Sequence, residues 1–455
     1  MTPSLSIMSA LLAATLAVVL SATPGATAGP VPTRGDLRLL VVLAAFPDRA
    51  LARERAYFAG SPGALVDRLV AYYTEVSAGR LHIIPHVGTP IVTLPEPRAR
   101  YVQRPSVLAH DAATAFVAAA GADRAALAEA HALLVFFAGP GRESHIEGGD
   151  PSDPWSNYTE FAPPVLGQSE ACVIAEEEVS PFSNFGVLCH EFGHLLGLPE
   201  LYAPGGLPQE GIGVWGLMGQ GTWLGRGDRP PHLEAWSKVR LGWADVTTVE
   251  HSARGVELPA VEVEPRVVKI PGAPGRPEEY YLLENRARIG ADEKLPGEGV
   301  LVWHVDERVS GFRTAQTEAA HKLLHLVEAD GRGDLDRGHA AGGNRGDATD
   351  PWHGPPRWRR RAGAGLALAG AFLVAAAVFR ARRPRGLVPV LIRSALAAGA
   401  LAAAAGLRRA PVCGPGTPGM APYEGEPVRV VIRNLSPPGR SMSCDVLVAT
   451  PPAPE

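Results

Sequence analysis

Leu37 to Phe46 is an apolar run, broken only by Arg38 and closed by Pro47-Asp48, the pattern of a strand buried on both faces. Ser61-Pro62 offers an N-cap with proline at the first helical position. Leu65, Val66, Leu69, Tyr72, Tyr73 and Val76 follow at helical spacing, and Gly79 closes that helix. Leu81 to Leu94 predicts one or two strands, Ser106 to Ala119 a helix, and Ala132 to Phe137 a strand. Gly148 to Gln168 is Pro-rich and predicts a loop, and Cys172 to Val179 a short extended segment. Ser180-Pro181 opens a second capped helix with the apolar stripe Phe182, Phe185, Leu188, Phe192 and Leu195. Alternating strands and helices indicate an α/β (α+β) body. His304 lies in the strand-like run Leu301 to Asp306 and reads as a core histidine.

Two apolar blocks stand apart. Ile7 to Leu20, followed by Ala26-Thr27-Ala28, has the form of a secretory signal over 1–28, though its start lacks Lys and Arg. Ala362 to Phe379 carries no charge, and Gly386 to Leu407 carries only Arg393. Arginines flank both runs, and Trp352 and Trp358 stand where interfacial aromatics would. A transmembrane helical segment is therefore expected within 356–409. A second span is opposed by Arg393, since a mid-span Arg costs about 2.5–3.5 kcal/mol. The exported body is 29–355, divided into 29–196 and 197–355, and 410–455 is a tail, β-like from Tyr423 to Val448. A net charge of −4 over 455 residues excludes a generally polybasic nucleic-acid binder. Four Cys are too few for a disulfide scaffold. Cys172 with Cys189 and Cys413 with Cys444 are the sequence-near pairs, with connectivity left open.

The sharpest chemical feature is HEFGHLLGLPE, His190 to Glu200. Residues four apart on a helix point the same way, so His190 and His194 can share one Zn²⁺ at about 2.0–2.1 Å each. Glu191 lies beside them, placed to act on water without being a ligand. A catalytic zinc wants a third protein ligand and an open position. Gly197 can take the left-handed conformation that ends a helix and turns the chain back. Pro199 prevents continuation, and Glu200 is then the natural third ligand. The bare HExxH pattern is weak; Gly197 and Glu200 sharpen it. So does Gly213 to Gly219, in which Met218 resembles the Met-turn that floors a metzincin zinc site.

The chain resembles the immune inhibitor A (M6) family of secreted, metzincin-like zinc metallopeptidases. The matching stretches are LRLLVVLAAFPD, VAYYTEVSAGRL, HEFGHLLGLPELY, GVWGLMGQGTW, PPHLEAWSKVRLGW, YYLLENR, DEKLPGEGVLVWHVDE, EADGRGDLD and GGNRGDATDPW, covering Leu37 to Trp352. The resemblance implies a mixed twisted sheet, an active-site helix and a Met-turn. It also implies hydrolysis of protein or peptide substrates by a zinc-activated water, with Glu191 as general base. Tyr202 is a further hydrogen-bond donor to the oxyanion or a packed aromatic. Cys172 to Val179 is a candidate edge strand for an extended substrate, and its run Glu176-Glu177-Glu178 reads as a plain solvated edge in preference to a site for basic side chains. Two departures stand out. The family often has Asp where this chain has Glu200, and residues 29–36 leave no room for an inhibitory pro-segment.

Asp330, Asp334, Asp336, Asn344, Asp347 and Asp350 lie among glycines. Hard oxygen donors on a flexible loop suit Ca²⁺, and the resemblance favours calcium over a solvated turn. The expected protein is thus an exported, extracellular or cell-surface endopeptidase, anchored to the membrane by its C-terminal hydrophobic segment and with no nucleic-acid partner. The alternative is a catalytically inactive surface-binding protein on the metzincin fold. Retention of His190, Glu191, His194 and Glu200 together argues against it, because a binding module needs no general base.

Overall fold

Residues 31–144, 149–203, 207, 209–272, 275–338, 341–354 and 429–449 are described by a computed structural model. The signal at 1–28 and the apolar segment at 356–409 lie outside the described residues, as does Cys413. Among the described residues no helix is long and apolar enough to cross a membrane.

The apolar run near the start becomes β1 (Gly35–Ala45), inside a five-stranded sheet with β2 (Leu81–Thr93), β3 (Ala132–Pro140), β4 (Asn157–Val165) and β5 (Gln168–Glu177). The order is β2-β1-β3-β5-β4; all pairs are parallel except β4, which runs antiparallel to β5. Leu37, Leu39, Val41 and Leu43 enter one core, and Leu40, Val42 and Ala44 the other. This is the period-two division of a strand covered by helices on both faces. After the short α1 (Arg55–Phe58), α2 (Leu65–Val76) packs on the first face. Helix α3 (Pro105–Ala119), followed by α4 (Arg124–Glu129), packs on the second. Helix α5 (Phe185–Leu195), which carries His190, Glu191 and His194, joins α2 on the first face.

Two helix starts differ from expectation. Helix α2 begins at Leu65, because the Ser61 hydroxyl is turned back to Ala56 O instead of capping. Helix α5 begins at Phe185, because Phe182 N–H is taken by Val179 O and Ser183 N–H by Arg226 O. Asn184 anchors its start, donating from Nδ2 to Ala175 O (2.9 Å) and Glu176 O (3.0 Å) at the end of β5.

A larger correction concerns the sheet edge. The stretch 148–168 is not all loop: it contains β4. Cys172–Val179 is not the edge, since its strand lies between β3 and β4 and is buried on both faces. The edge is β4. Its alternation Tyr158-Thr159-Glu160-Phe161 was masked by the nearby prolines, which sit where the pairing with β5 slips between Glu160 and Val165.

After α6 (Ala235–Arg240), the second half adds β6 (Asp245–Thr248), β7 (Ala253–Pro259), β8 (Arg266–Pro271), β9 (Glu279–Arg286), β10 (Gly299–Asp306) and β11 (Leu324–Leu326). A sheet of order β11-β10-β9-β8-β6 results. Leu282, Leu301, Trp303 and Val305 on one face belong to the same core as α5, so one core joins that helix to both large sheets. Leu283, Val300 and Val302 on the other face pack against a small sheet of β7, β12 (Arg429–Arg433) and β13 (Ser441–Ala449). The β-like tail is therefore strand in its described part. His304 is a core residue as expected, bonded to Glu279 Oε1 (2.9 Å) and stacked on Tyr281. Cys172, Cys189 and Cys444 are buried free thiols, so the pairing of Cys172 with Cys189 is not made.

Candidate active site

Helix α5 ends as the sequence indicates. Gly197 has φ 89°, and Leu198 N–H reaches Gly193 O (3.2 Å) while Gly197 N–H reaches His194 O (2.8 Å). These two bonds make a Schellman cap. The reversal brings Glu200 back beside the helix, where its N–H donates to Phe312 O (2.8 Å).

The result is a buried triangle. His190 Nε2 lies 3.1 Å from His194 Nε2 and 3.2 Å from Glu200 Oε2, and His194 Nε2 lies 3.4 Å from Glu200 Oε1. Four ligands about 2.0–2.2 Å from a tetrahedral zinc stand about 3.3–3.5 Å apart, so this donor set fits Zn²⁺. Both Nδ1 atoms are engaged away from the triangle. His194 Nδ1 bonds Leu198 O (2.8 Å); His190 Nδ1 bonds Leu217 O (3.1 Å) and Thr222 Oγ1 (2.9 Å). Those contacts fix the ring orientations and leave Nε2 facing the metal position. Burial opposes charge on His190, yet the adjacent Glu200 carboxylate pushes its pKa up to about 9. Burial would raise Glu200, but hydrogen bonds with His190 and His194 hold it well below the usual carboxylate range.

Met218 lies beneath the helix, fully buried. A Cβ on Gly193 would stand 2.5 Å from Met218 Sδ, so the approach of helix and turn depends on that glycine. Leu201 N–H donates to Met218 O (2.9 Å), tying the ligand loop to the turn. From the second sheet, the buried Arg286 bonds Asp292 through Nε and Nη2 (both 2.7 Å) and gives Nη1 to Trp215 O (2.9 Å). The turn is thus braced from both halves of the chain.

Glu191 is outside the triangle. Its Oε2 accepts Tyr158 N–H from β4 (2.6 Å). Burial raises its pKa, against the pull of His190 and His194. Tyr202 is also brought to the site, its hydroxyl donating to Glu200 Oε1 (3.0 Å) and its own pKa raised by burial and by that carboxylate. Sequence reasoning missed Tyr158, Thr222 and Phe312. Phe312 places its ring 4.5 Å from that of His194 and 5.9 Å from that of Tyr158. All three arrive by long-range contact. Only the strand-like alternation around Tyr158 was a local signal.

The contact of Thr222 is testable. Thr222→Val should weaken zinc binding about tenfold, the lower end for a lost outer contact, because Leu217 O still holds His190. Competition with a chromogenic chelator measures this; unchanged affinity would remove Thr222 from the site.

The acidic loop is only partly assembled as expected. Asp330, Asp334 and Asp347 converge, as do Asp330, Asp350 and Glu328, the last not foreseen. Asn344 donates to Asp334 Oδ2 (3.0 Å) and Asp347 Oδ2 (3.2 Å). Asp336 instead turns to Lys322 and His325. Asp350 accepts Trp215 Nε1–H (2.9 Å), and its burial pushes the pKa up to about 7. The run Glu176-Glu177-Glu178 does not face a substrate. Glu176 accepts the N–H groups of Ala52, Arg53 and Gly139, Glu177 pairs with Arg53, and Glu178 is buried against Glu143.

Residues 170–244 match the family model for the immune inhibitor A peptidase M6 catalytic domain. That stretch holds most of β5, all of α5, the ligand loop, the Met-turn and α6, so the chain carries the M6 metallopeptidase signature on the residues that build the site. No curated protein shows a significant match to the chain.

Proposed function

We propose that the chain is a zinc-dependent metalloendopeptidase, exported and held at the cell surface. The observation that carries this reading is the buried His190, His194 and Glu200 triangle with Glu191 beside it on the same helix. A bound zinc supplies Lewis acidity, polarising a scissile carbonyl and acidifying the attacking water. Glu191 accepts the proton from that water and returns one to the leaving amine. Its carboxylate is oriented by Tyr158 N–H, and its raised pKa suits a group that both takes and gives a proton. Tyr202 stands close enough to Glu200 to serve the developing oxyanion as a donor. An extended substrate would add to β4, the free edge beside Glu191.

The test is a peptide-library digest with the purified chain, with and without added zinc and a chelator. Cleavage that is lost on chelation and restored by zinc is expected. A zinc-loaded protein that cuts nothing would favour the inactive surface-binding alternative.

Calcium is proposed for the Asp330, Asp334 and Asp347 cluster and the Glu328, Asp330 and Asp350 cluster. Since Asp350 holds Trp215 and Arg345 O accepts Val214 N–H (2.8 Å), a cation there would stiffen the Met-turn. Thermal stability lost to a chelator should return with Ca²⁺ and not with Zn²⁺. Membrane anchoring by 356–409 is proposed from composition. The described chain leaves at Gly354, whose N–H bonds Ser436 O (2.9 Å) in the segment that joins β12 to β13. An anchor supplied by the intervening residues therefore has to return the chain to the side it left, as a two-span hairpin would.

A further inference from the structure

The face that β4 turns toward the active-site helix is acidic. Tyr158 pairs with Cys172 across the ladder, yet its N–H leaves the sheet for Glu191. Opposite residues of an antiparallel pair alternate between bonded and non-bonded. Glu160, two residues on, therefore also directs its N–H and C=O outward, the carbonyl sharing the Thr159 hydroxyl (3.1 Å). By the same period the Glu160 side chain lies on the face of Tyr158, about 7 Å further along the strand. Thr159 and Phe161 point the other way, into the sheet's second side, where Phe161 joins the core under α3.

Directly across from Glu160 is Glu170. Like charges in that relation destabilise a sheet. Glu170 accepts the Tyr158 hydroxyl (3.0 Å), and no basic side chain pairs with either carboxylate among the described residues. Glu160 is exposed and Glu170 half-buried. A cleft of about 370 Å³ lies on the α3 side of this strand, between Glu160, Phe161 and Ala162 and the Ser106, Val107 and His110 turns, so it is separate from the face that Tyr158 and Glu160 share. Pro163 and Pro164 then end the usable edge, since neither has an N–H to offer.

We infer that the edge selects an extended substrate carrying Lys or Arg two to three residues from the scissile bond, its cation received by Glu160 and Glu170. This rests on the peptidase reading and adds the substrate class. A peptide strand on β4 presents alternate side chains to this face, so a cation opposite Glu160 reaches both carboxylates and relieves their repulsion. For a strand added antiparallel to β4, that residue lies on the N-terminal side of the cut.

The experiment uses one cleavable peptide sequence with Lys, Ala or Glu placed in turn at each position flanking the cut. The expected result is one position where Lys raises kcat/KM about five- to tenfold over Ala and Glu lowers it, the scale of one or two exposed ion pairs. That ratio should shrink in high salt. Glu160→Gln should reduce the Lys-to-Ala ratio toward one, and Glu160→Lys should favour the Glu peptide. Cleavage with no charge preference, or a preference that survives Glu160→Lys, overturns the acidic subsite and leaves the peptidase reading standing. Zinc-loaded protein that cuts neither these peptides nor unfolded casein overturns both.

Discussion

Glu191→Gln is expected to leave zinc bound and to lower kcat/KM by about 10²–10⁴, the usual contribution of a positioned general base. The substitution isolates proton transfer. Glu191 is not among the three converging donors. The amide oxygen of Gln can still accept the Tyr158 N–H that now holds Oε2 at 2.6 Å. The side chain stays in place and loses only its ability to take and return a proton. Glu191→Ala should cost at least as much, with an added packing defect on a well-buried helix. Zinc content by elemental analysis, set beside casein and peptide turnover, separates the two effects. Undiminished hydrolysis by either variant would end the assignment of Glu191.

The parts of this site legible in the sequence are those governed by local geometry. Two imidazoles four apart on a helix must share a face. The glycine that ends the helix, with φ 89° at Gly197, sends the chain back far enough to place Glu200 at the same point. The Met-turn was legible only by resemblance, since Met218 alone reads as core packing, and the glycine that permits its close approach is Gly193 of the helix. The remaining parts depend on contacts between distant segments. Tyr158 reaches Glu191 only because β4 folds onto β5, and the prolines in that stretch hid the strand. The acidic run at 176–178 looked available because charge was visible and its partners were not. Glu176 alone accepts three backbone N–H groups. The same limit applies to Asp336, which shares the spacing of the other loop carboxylates but is drawn off by Lys322. A cluster's composition can be read from sequence; which members are already committed cannot.

Glu200→Ala should release zinc and carry activity with it. The side chain does three things at once. It supplies the oxygen donor of the triangle, holds both imidazoles within 3.4 Å, and receives the Tyr202 hydroxyl. Loss of an outer-shell contact weakens zinc about 10–100-fold, so loss of a direct ligand should exceed that range. Glu200→Asp is the informative companion. The backbone position is fixed by Phe312 O, and one methylene fewer lengthens the reach to the metal, so zinc should be retained with reduced affinity and partial activity. An acidic alternative further along the chain, Glu234, is committed elsewhere. It caps α6 through Ser237 N–H (2.9 Å) and is fully buried beside Gly216. Equilibrium dialysis against buffered zinc would measure all three proteins on one scale. If Glu200→Ala kept one zinc per chain and normal turnover, the third ligand would have to be sought outside this loop, and the triangle would be a hydrogen-bonded cluster rather than a metal centre.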